Sequence, residues 1–182
     1  ELPWVNFLEP TPGAMNGQGF LGYVDSPDAS VAHGLFEEPI DVVLTSQTPG
    51  AVIRYTTDFS EPTETNGTLY TPGAILHLET STVLRTIAYL PEGSGWSPSA
   101  TTTYTYIFLD DVLSQSNNQL AGGFPTQWIA GHDHETHYDR QVRDADYAVD
   151  PDVALDAGDL LTIPSMSLVI DQHDLWDPYE GI

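Results

Sequence analysis

Apolar and polar residues alternate with a period of two through the middle of the chain. Ile40, Val42 and Leu44 are interleaved with Asp41, Val43 and Thr45, and Ala51, Ile53 and Tyr55 with Val52, Arg54 and Thr56. Leu76 and Leu78 flank His77, and Tyr104, Tyr106 and Phe108 alternate with Thr103, Thr105 and Ile107. Residues 82–90 form a longer run that is apolar on both faces in places. Successive side chains of a strand point to opposite faces, so this spacing predicts strands with one face on a common core. Turn residues recur between them at about the eight-to-twelve-residue spacing of a sandwich. The prediction is an all-β sandwich over residues 38–108, with Tyr55, Leu84, Tyr104 and Tyr106 facing its core. A unit of that size without a covalent staple needs its flanking segments to cover faces or edges.

The flanks follow other patterns. Residues 1–37 are punctuated by Pro10, Pro12, Gly13, Gly17, Gly19 and Gly22 between two apolar stretches, Trp4–Leu8 and Phe20–Val24. That reads as extended chain laid over a neighbour. In residues 109–182, Leu109, Val112 and Leu113 predict one short helical turn. Asp150-Pro151-Asp152 predicts the opening of a helix through Val153, Ala154 and Leu155, with Pro at its first position. Ile163, Met166, Leu168, Val169 and Ile170 predict a buried strand. The domain plan is therefore an extended segment at 1–37, the sandwich at 38–108 and an irregular acidic extension at 109–182.

Charge narrows the partners. The chain has 27 acidic residues against four arginines and no lysine, a net charge of −23. Residues 1–37 and 38–108 carry −5 each and residues 109–182 carry −13. Nothing neutralises phosphates, which argues against nucleic acid and anionic membrane surfaces. No apolar run reaches the roughly twenty residues of a membrane span. Without cysteine there are no disulfides, no thiol catalysis and no thiolate zinc site. Without lysine there is no phosphate-binding loop of the Walker type and no strand lysine to hold nucleotide phosphates. The start at Glu1 reads as a mature or trimmed piece of a longer precursor.

One string is specific. Strand-like residues at 52–55 run into a polar loop that closes at Asn66-Gly67, before the short apolar pair Leu69 and Tyr70, as in a hairpin. The residues Gly50, Ala51, Ile53–Asp58, Ser60, Pro62 and Thr63 resemble the signature of the fibronectin-III/Ig-like module found beside chitobiase and hexosaminidase domains. The same module precedes CotH-type kinase domains in secreted bacterial proteins. The resemblance implies an Ig/fibronectin-III-like sandwich with no catalytic role of its own, in an extracellular or cell-surface protein. The chain departs from the signature at Phe59, where the family has Gly, so either a wider turn or a strained Asp58 is expected. Residues 10–17 look like the exit of a lamin-tail-like domain. The stretch from Ile107 to Ile182 is similar to the segment joining this module to a CotH-type kinase, and stops where the catalytic body would begin.

Candidate chemistry is sparse. His132, His134 and His137 lie in a His-Asp-His-Glu-Thr-His run that suits a transition metal such as zinc, copper or nickel, or is simply a hydrophilic loop. Asp171, Asp174 and Asp177 recur every third residue, a hard oxygen set compatible with Ca²⁺, or with two capped turns. Asp58, Glu61 and Glu64 share one loop and so lack the opposed pair a glycosidase needs. Asn66-Gly67-Thr68 is a glycosylation sequon at a loop tip. Trp96 and Trp128 are the candidates for an exposed sugar platform.

These features point first to a non-enzymatic, extracellular structural or adhesive glycoprotein module. In that reading it self-associates into a surface fibre through Trp4, Val5, Phe7 and Leu8 or through Leu168, Val169 and Ile170. Its partners would be further copies or neighbouring domains of a precursor. A carbohydrate-binding accessory module is the alternative, as is the non-catalytic front part of a CotH-type kinase protein.

Overall fold

The computed structural model describes residues 5–7, 11–15, 19–114, 127–129, 139–141 and 155–169. The elements follow in the order β1 (Asp28–Ala29), β2 (Gly34–Phe36), β3 (Ile40–Val42), β4 (Leu44–Thr45), β5 (Val52–Thr56), β6 (Thr68–Leu69), β7 (Leu76–Leu78), β8 (Thr82–Tyr89), β9 (Thr102–Phe108), α1 (Leu109–Leu113), β10 (Gln127–Ile129), β11 (Asp139–Gln141) and α2 (Ala157–Thr162). The chain forms two compact units, residues 1–34 with 39–106, and residues 35–38 with 107–182.

The fold is an all-β sandwich. Its main sheet has the order β2-β9-β8-β5-β6, and the pairs β1-β4 and β3-β7 form shorter two-stranded sheets. The pairs β1-β4, β3-β7, β5-β6, β5-β8 and β8-β9 are antiparallel; β5 meets β8 with Ile53 opposite Ala88, and β8 meets β9 with Leu84 opposite Tyr104. Alternation places the core. Val42 and Leu44 are buried while Asp41 and Thr45 are exposed, and along β8 Leu84, Thr86 and Ala88 are fully buried. Each large aliphatic side chain so buried contributes about 1.5–3 kcal/mol.

Of the four side chains expected in the core, Leu84 and Tyr106 are fully buried, whereas Tyr55 and Tyr104 are only half-buried. The reason for Tyr104 is its hydroxyl, which accepts from the Ala29 amide at 3.2 Å and donates to the Pro27 carbonyl at 3.0 Å. The Tyr106 hydroxyl donates to the Val31 carbonyl at 2.8 Å. The tyrosines of β9 thus hold residues 27–31 against the sheet, and strands already occur at 28–36, ahead of the expected start at 38. Burial, with the neighbouring Tyr104 phenol adding to it, pushes the Tyr106 hydroxyl up to about 12. Tyr70 plays a similar part on the other side. It accepts from the Leu44 amide at 3.1 Å and donates to the Ala74 carbonyl at 2.5 Å.

Three turns share the sequence Thr-Pro-Gly-Ala, at 11–14, 48–51 and 71–74. In each, the Ala amide bonds the Thr carbonyl at 2.9–3.2 Å, and Gly13, Gly50 and Gly73 take φ of 79°, 77° and 81°. Pro fixes the second position and Gly supplies the left-handed third, which defines type II turns.

The second unit departs from expectation at one point. Residues 109–113 form the expected short helix. The helix expected to open at Pro151 lies, apart from Leu155, outside the described residues; a helix that was not expected, α2, begins at Ala157. Asp156 caps it, with its Oδ1 accepting from the Asp159 amide at 2.9 Å, and Asp159 Oδ2 accepting in return from the Asp156 amide at 3.1 Å. This reciprocal capping box fixes the start of α2. The strand expected over Ile163–Ile170 is not formed in its described part, residues 163–169. Ile163, Met166 and Leu168 are 52, 81 and 77% exposed. Pro164 lacks an amide to donate, and the apolar residues have no partner strand among the described residues. No helix among the described residues is long and apolar enough to cross a membrane.

Candidate functional site

Two segments of the first unit converge on one cleft. The first is the loop from Thr57 to Gly67 that joins β5 to β6. It is no tight hairpin, because eleven residues separate the paired strands. It is closed by its own side chains. Asp58 Oδ1 accepts from the Ser60 hydroxyl at 2.6 Å and the Ser60 amide at 3.1 Å, which holds the carboxyl below the usual aspartate range. Arg85, on β8, donates to the Phe59 carbonyl at 2.9 Å and pairs with Glu61, which also accepts from the Thr101 hydroxyl. Phe59 itself takes the left-handed conformation, φ 67°, so the strain sits there and not on Asp58. At the loop's end, Gly67 has φ 97°, and a Cβ there would lie 2.7 Å from the Tyr55 carbonyl oxygen.

The second segment is the turn after β8. The Ser94 amide bonds the Pro91 carbonyl at 3.1 Å, and Gly93 occupies the left-handed position. The chain then runs along residues 20–24. The Leu21 amide bonds the Gly95 carbonyl at 2.7 Å, Ser97 donates to Gly22 at 2.9 Å, and Val24 donates to Ser97 at 3.0 Å. This pairing lays the Trp96 indole on Gly22, where a Cβ would come within 2.9 Å of the ring. Trp96 remains 43% exposed.

The result is an open cleft of about 390 Å³. Its wall includes Phe20, Trp96, Ser94, Ser97, Glu64 and Glu92. It offers an aromatic face, two hydroxyls and two carboxylates, with no basic side chain. A larger groove of about 530 Å³ lies between the Thr48–Ala51 and Thr71–Ala74 turns, beside Leu44, Ile53 and Leu69. It carries no charged group, and its Tyr70 hydroxyl is already committed to Leu44 and Ala74. The Trp96 cleft is therefore the better ligand site, since a few polar groups around an exposed aromatic provide orientation as well as contact area.

Residues 31–103 match the family model of the chitobiase/beta-hexosaminidase C-terminal domain. This is the Ig-like module implied by the string from Gly50 to Thr63, and the match leaves residues 104–182 outside it. No curated protein and no solved structure matches the chain significantly. The chitobiase-type module carries the whole Glu64–Trp96 side of the cleft, while Phe20 comes from the segment ahead of the match.

The other sequence candidates fall elsewhere. The Asn66 Nδ2 donates to the Glu61 carbonyl at 2.7 Å and the Ser60 hydroxyl at 3.3 Å, on an exposed residue. Val5 and Phe7 are exposed between them, while Asn6 bonds Phe20 through both backbone groups at 2.7 and 2.9 Å. Leu168 and Val169 are exposed. Trp4, Leu8, Ile170, the histidines 132, 134 and 137, and the aspartates 171, 174 and 177 lie outside the described residues. Trp128 lies on β10, whose backbone alone is described. Among the described residues no group of three or more His, Cys, Asp or Glu is placed to hold a metal ion.

One cluster was missed by the sequence reading. His77 and Asp41 are register partners on β7 and β3. His77 Nδ1 lies 2.7 Å from Asp41 and Nε2 lies 3.1 Å from Glu79, which raises the imidazole pKa, the Asp41 hydrogen bond being the main cause. The alternation of His77 between Leu76 and Leu78 was the available signal for its exposure; its pairing with Asp41 needed the register.

Proposed function

We propose that this chain is an extracellular, non-catalytic accessory module that contacts carbohydrate through the Trp96 cleft. The observation that carries this reading is the exposed indole laid on Gly22, beside Ser94, Ser97 and two carboxylates. A sugar ring presents C–H groups on one face, which suit an indole, and hydroxyls at its rim, which suit serine and carboxylate acceptors. The match of residues 31–103 to a domain family named for chitobiase and beta-hexosaminidase supports the same class of ligand. The loop carboxylates support a non-catalytic role, because Asp58 and Glu61 are tied to Ser60, Arg85 and Thr101 and do not face each other across a cleft. The test is affinity electrophoresis of the full chain in gels containing soluble polysaccharides, with sedimentation against insoluble chitin and cellulose. Retardation or co-sedimentation that Trp96→Ala weakens about ten-fold is expected. Binding unaltered by Trp96→Ala, or no binding to any polymer, would contradict it.

Self-association is the second reading. It is favoured by the exposed apolar side chains of Met166, Leu168 and Val169, which suit addition to a neighbour's sheet edge. Because Asn6 is bonded to Phe20 within its own chain, residues 163–169 are the better donor segment. Sedimentation in salt and Ca²⁺ should show polymers that disappear when residues 163–182 are deleted.

A further inference from the structure

We infer that the Trp96 cleft selects a protonated amino sugar, a glucosamine-type polymer with free amines, over neutral or acidic glycans. This rests on the carbohydrate reading above and names its ligand.

Charge at short range sets the preference. Glu64 comes from the β5–β6 loop and Glu92 from the turn after β8, so two separate segments each bring a carboxylate to the wall that holds the indole. Neither carboxylate makes an ion pair among the described residues. The first unit has only two basic side chains of the arginine or lysine type, and both are committed elsewhere. Arg54 donates to the Gly67 carbonyl at 2.7 Å and to the Tyr89 hydroxyl at 3.2 Å. Arg85 is held by Glu61 and the Phe59 carbonyl. A sulfated or uronic-acid polymer would therefore find two carboxylates and no cation in the cleft. An ammonium group on a ring stacked against Trp96 finds two carboxylates lining the same cleft, and the indole face itself attracts a cation. The net charge of −23 adds a long-range attraction for any polycation, which salt screens, whereas the cleft contacts are local and depend on which acids are present.

The test is calorimetric titration of the full chain with glucosamine oligomers and with fully N-acetylated oligomers of equal length, at mildly acidic pH and physiological salt. The free-amine oligomer should bind about ten-fold tighter. Glu64→Gln combined with Glu92→Gln should shrink that preference to about two-fold or less. The charge-matched pair Asp28→Asn and Glu79→Gln, whose residues do not line the cleft, should leave the preference in place. Equal or tighter binding of the acetylated oligomer, or an equal loss in both double variants, overturns the inference. Trp96→Ala separates the two levels. If it weakens both oligomers but no preference exists, the amine selectivity fails while the carbohydrate site stands. If Trp96→Ala changes nothing, the site itself fails.

Discussion

Residues 82–89 and residues 163–169 are both rich in apolar side chains, yet they meet opposite fates. In the first stretch Leu84, Thr86 and Ala88 are fully buried and Ile87 nearly so. In the second, Ile163, Met166 and Leu168 are each more than half exposed. The difference lies in what surrounds the apolar residues. β8 has β5 on one side and β9 on the other, so its backbone groups are paired and its alternation can face a core. Residues 163–169 contain Pro164, two serines between the apolar positions, and no strand partner among the described residues. Apolar content alone does not make a strand; paired edges and turns that return the chain do.

Truncating one leucine in each stretch should separate the two most widely. Leu84→Ala should cost about 3 kcal/mol in denaturant unfolding, through lost burial and a residual cavity. Leu168→Ala should change stability by less than about 0.5 kcal/mol. A comparable cost at both positions would mean that the second stretch is packed after all.

Turn chemistry is next in size. Gly67→Ala should destabilise by about 2 kcal/mol, because it forces a left-handed φ and drives a Cβ toward the Tyr55 carbonyl on β5. The same exchange at Gly158, in α2, should be close to neutral or favourable, since its φ is not left-handed and its closest neighbour is the Asp156 carboxylate at 3.0 Å. Thermal unfolding of the two variants separates them. Phe59→Gly runs the other way. It relieves roughly 1–2 kcal/mol of left-handed strain at a cost of roughly 0.5–1 in unfolded-chain entropy, a net gain of about 0.5 kcal/mol. A loss of stability would show that the exposed Phe59 ring makes a contact worth more than its strain.

The smallest expected effect is the pH dependence of the β3–β7 pairing. His77 titrates above its ordinary value near 6.5 because Asp41 and Glu79 face its two ring nitrogens. A raised folded-state pKa stabilises fully below the unfolded value and is lost as pH rises through the folded one. Stability should therefore decline slightly as pH climbs from about 6.5, and His77→Gln should flatten that slope. An unchanged slope in the variant would assign the dependence to other groups.

Much of the sandwich was legible in the sequence. The alternation at 40–44, 76–78 and 104–108 is a local signal, and local signals survive without knowledge of partners. β1 and β2 were not legible, since each has only two or three residues; residues 27–31, with β1 among them, are held by the hydroxyls of Tyr104 and Tyr106 on distant β9, and β2 is placed by its position beside β9 in the main sheet. The string around Asp58 identified the module, but it could not say that Phe59 carries the positive φ. Trp96 stood out as exposed after Gly95. Its cleft did not, because Glu64 and Glu92 come to line one cleft only through the folding of the β5–β6 loop and the turn at 91–95. The helix at 157–162 was not foreseen, because the reciprocal Asp156–Asp159 capping that starts it is a spacing of two ordinary acidic residues until the turn is formed.

Hydrogen exchange followed by peptide mass spectrometry tests the central contrast directly, because one experiment reads both stretches in the same molecule. Amides of residues 82–89 and 102–108 should exchange only with global unfolding, and those of residues 163–169 should exchange within seconds. Slow exchange across 163–169, or fast exchange across 82–89, would contradict the account of where this chain keeps its core.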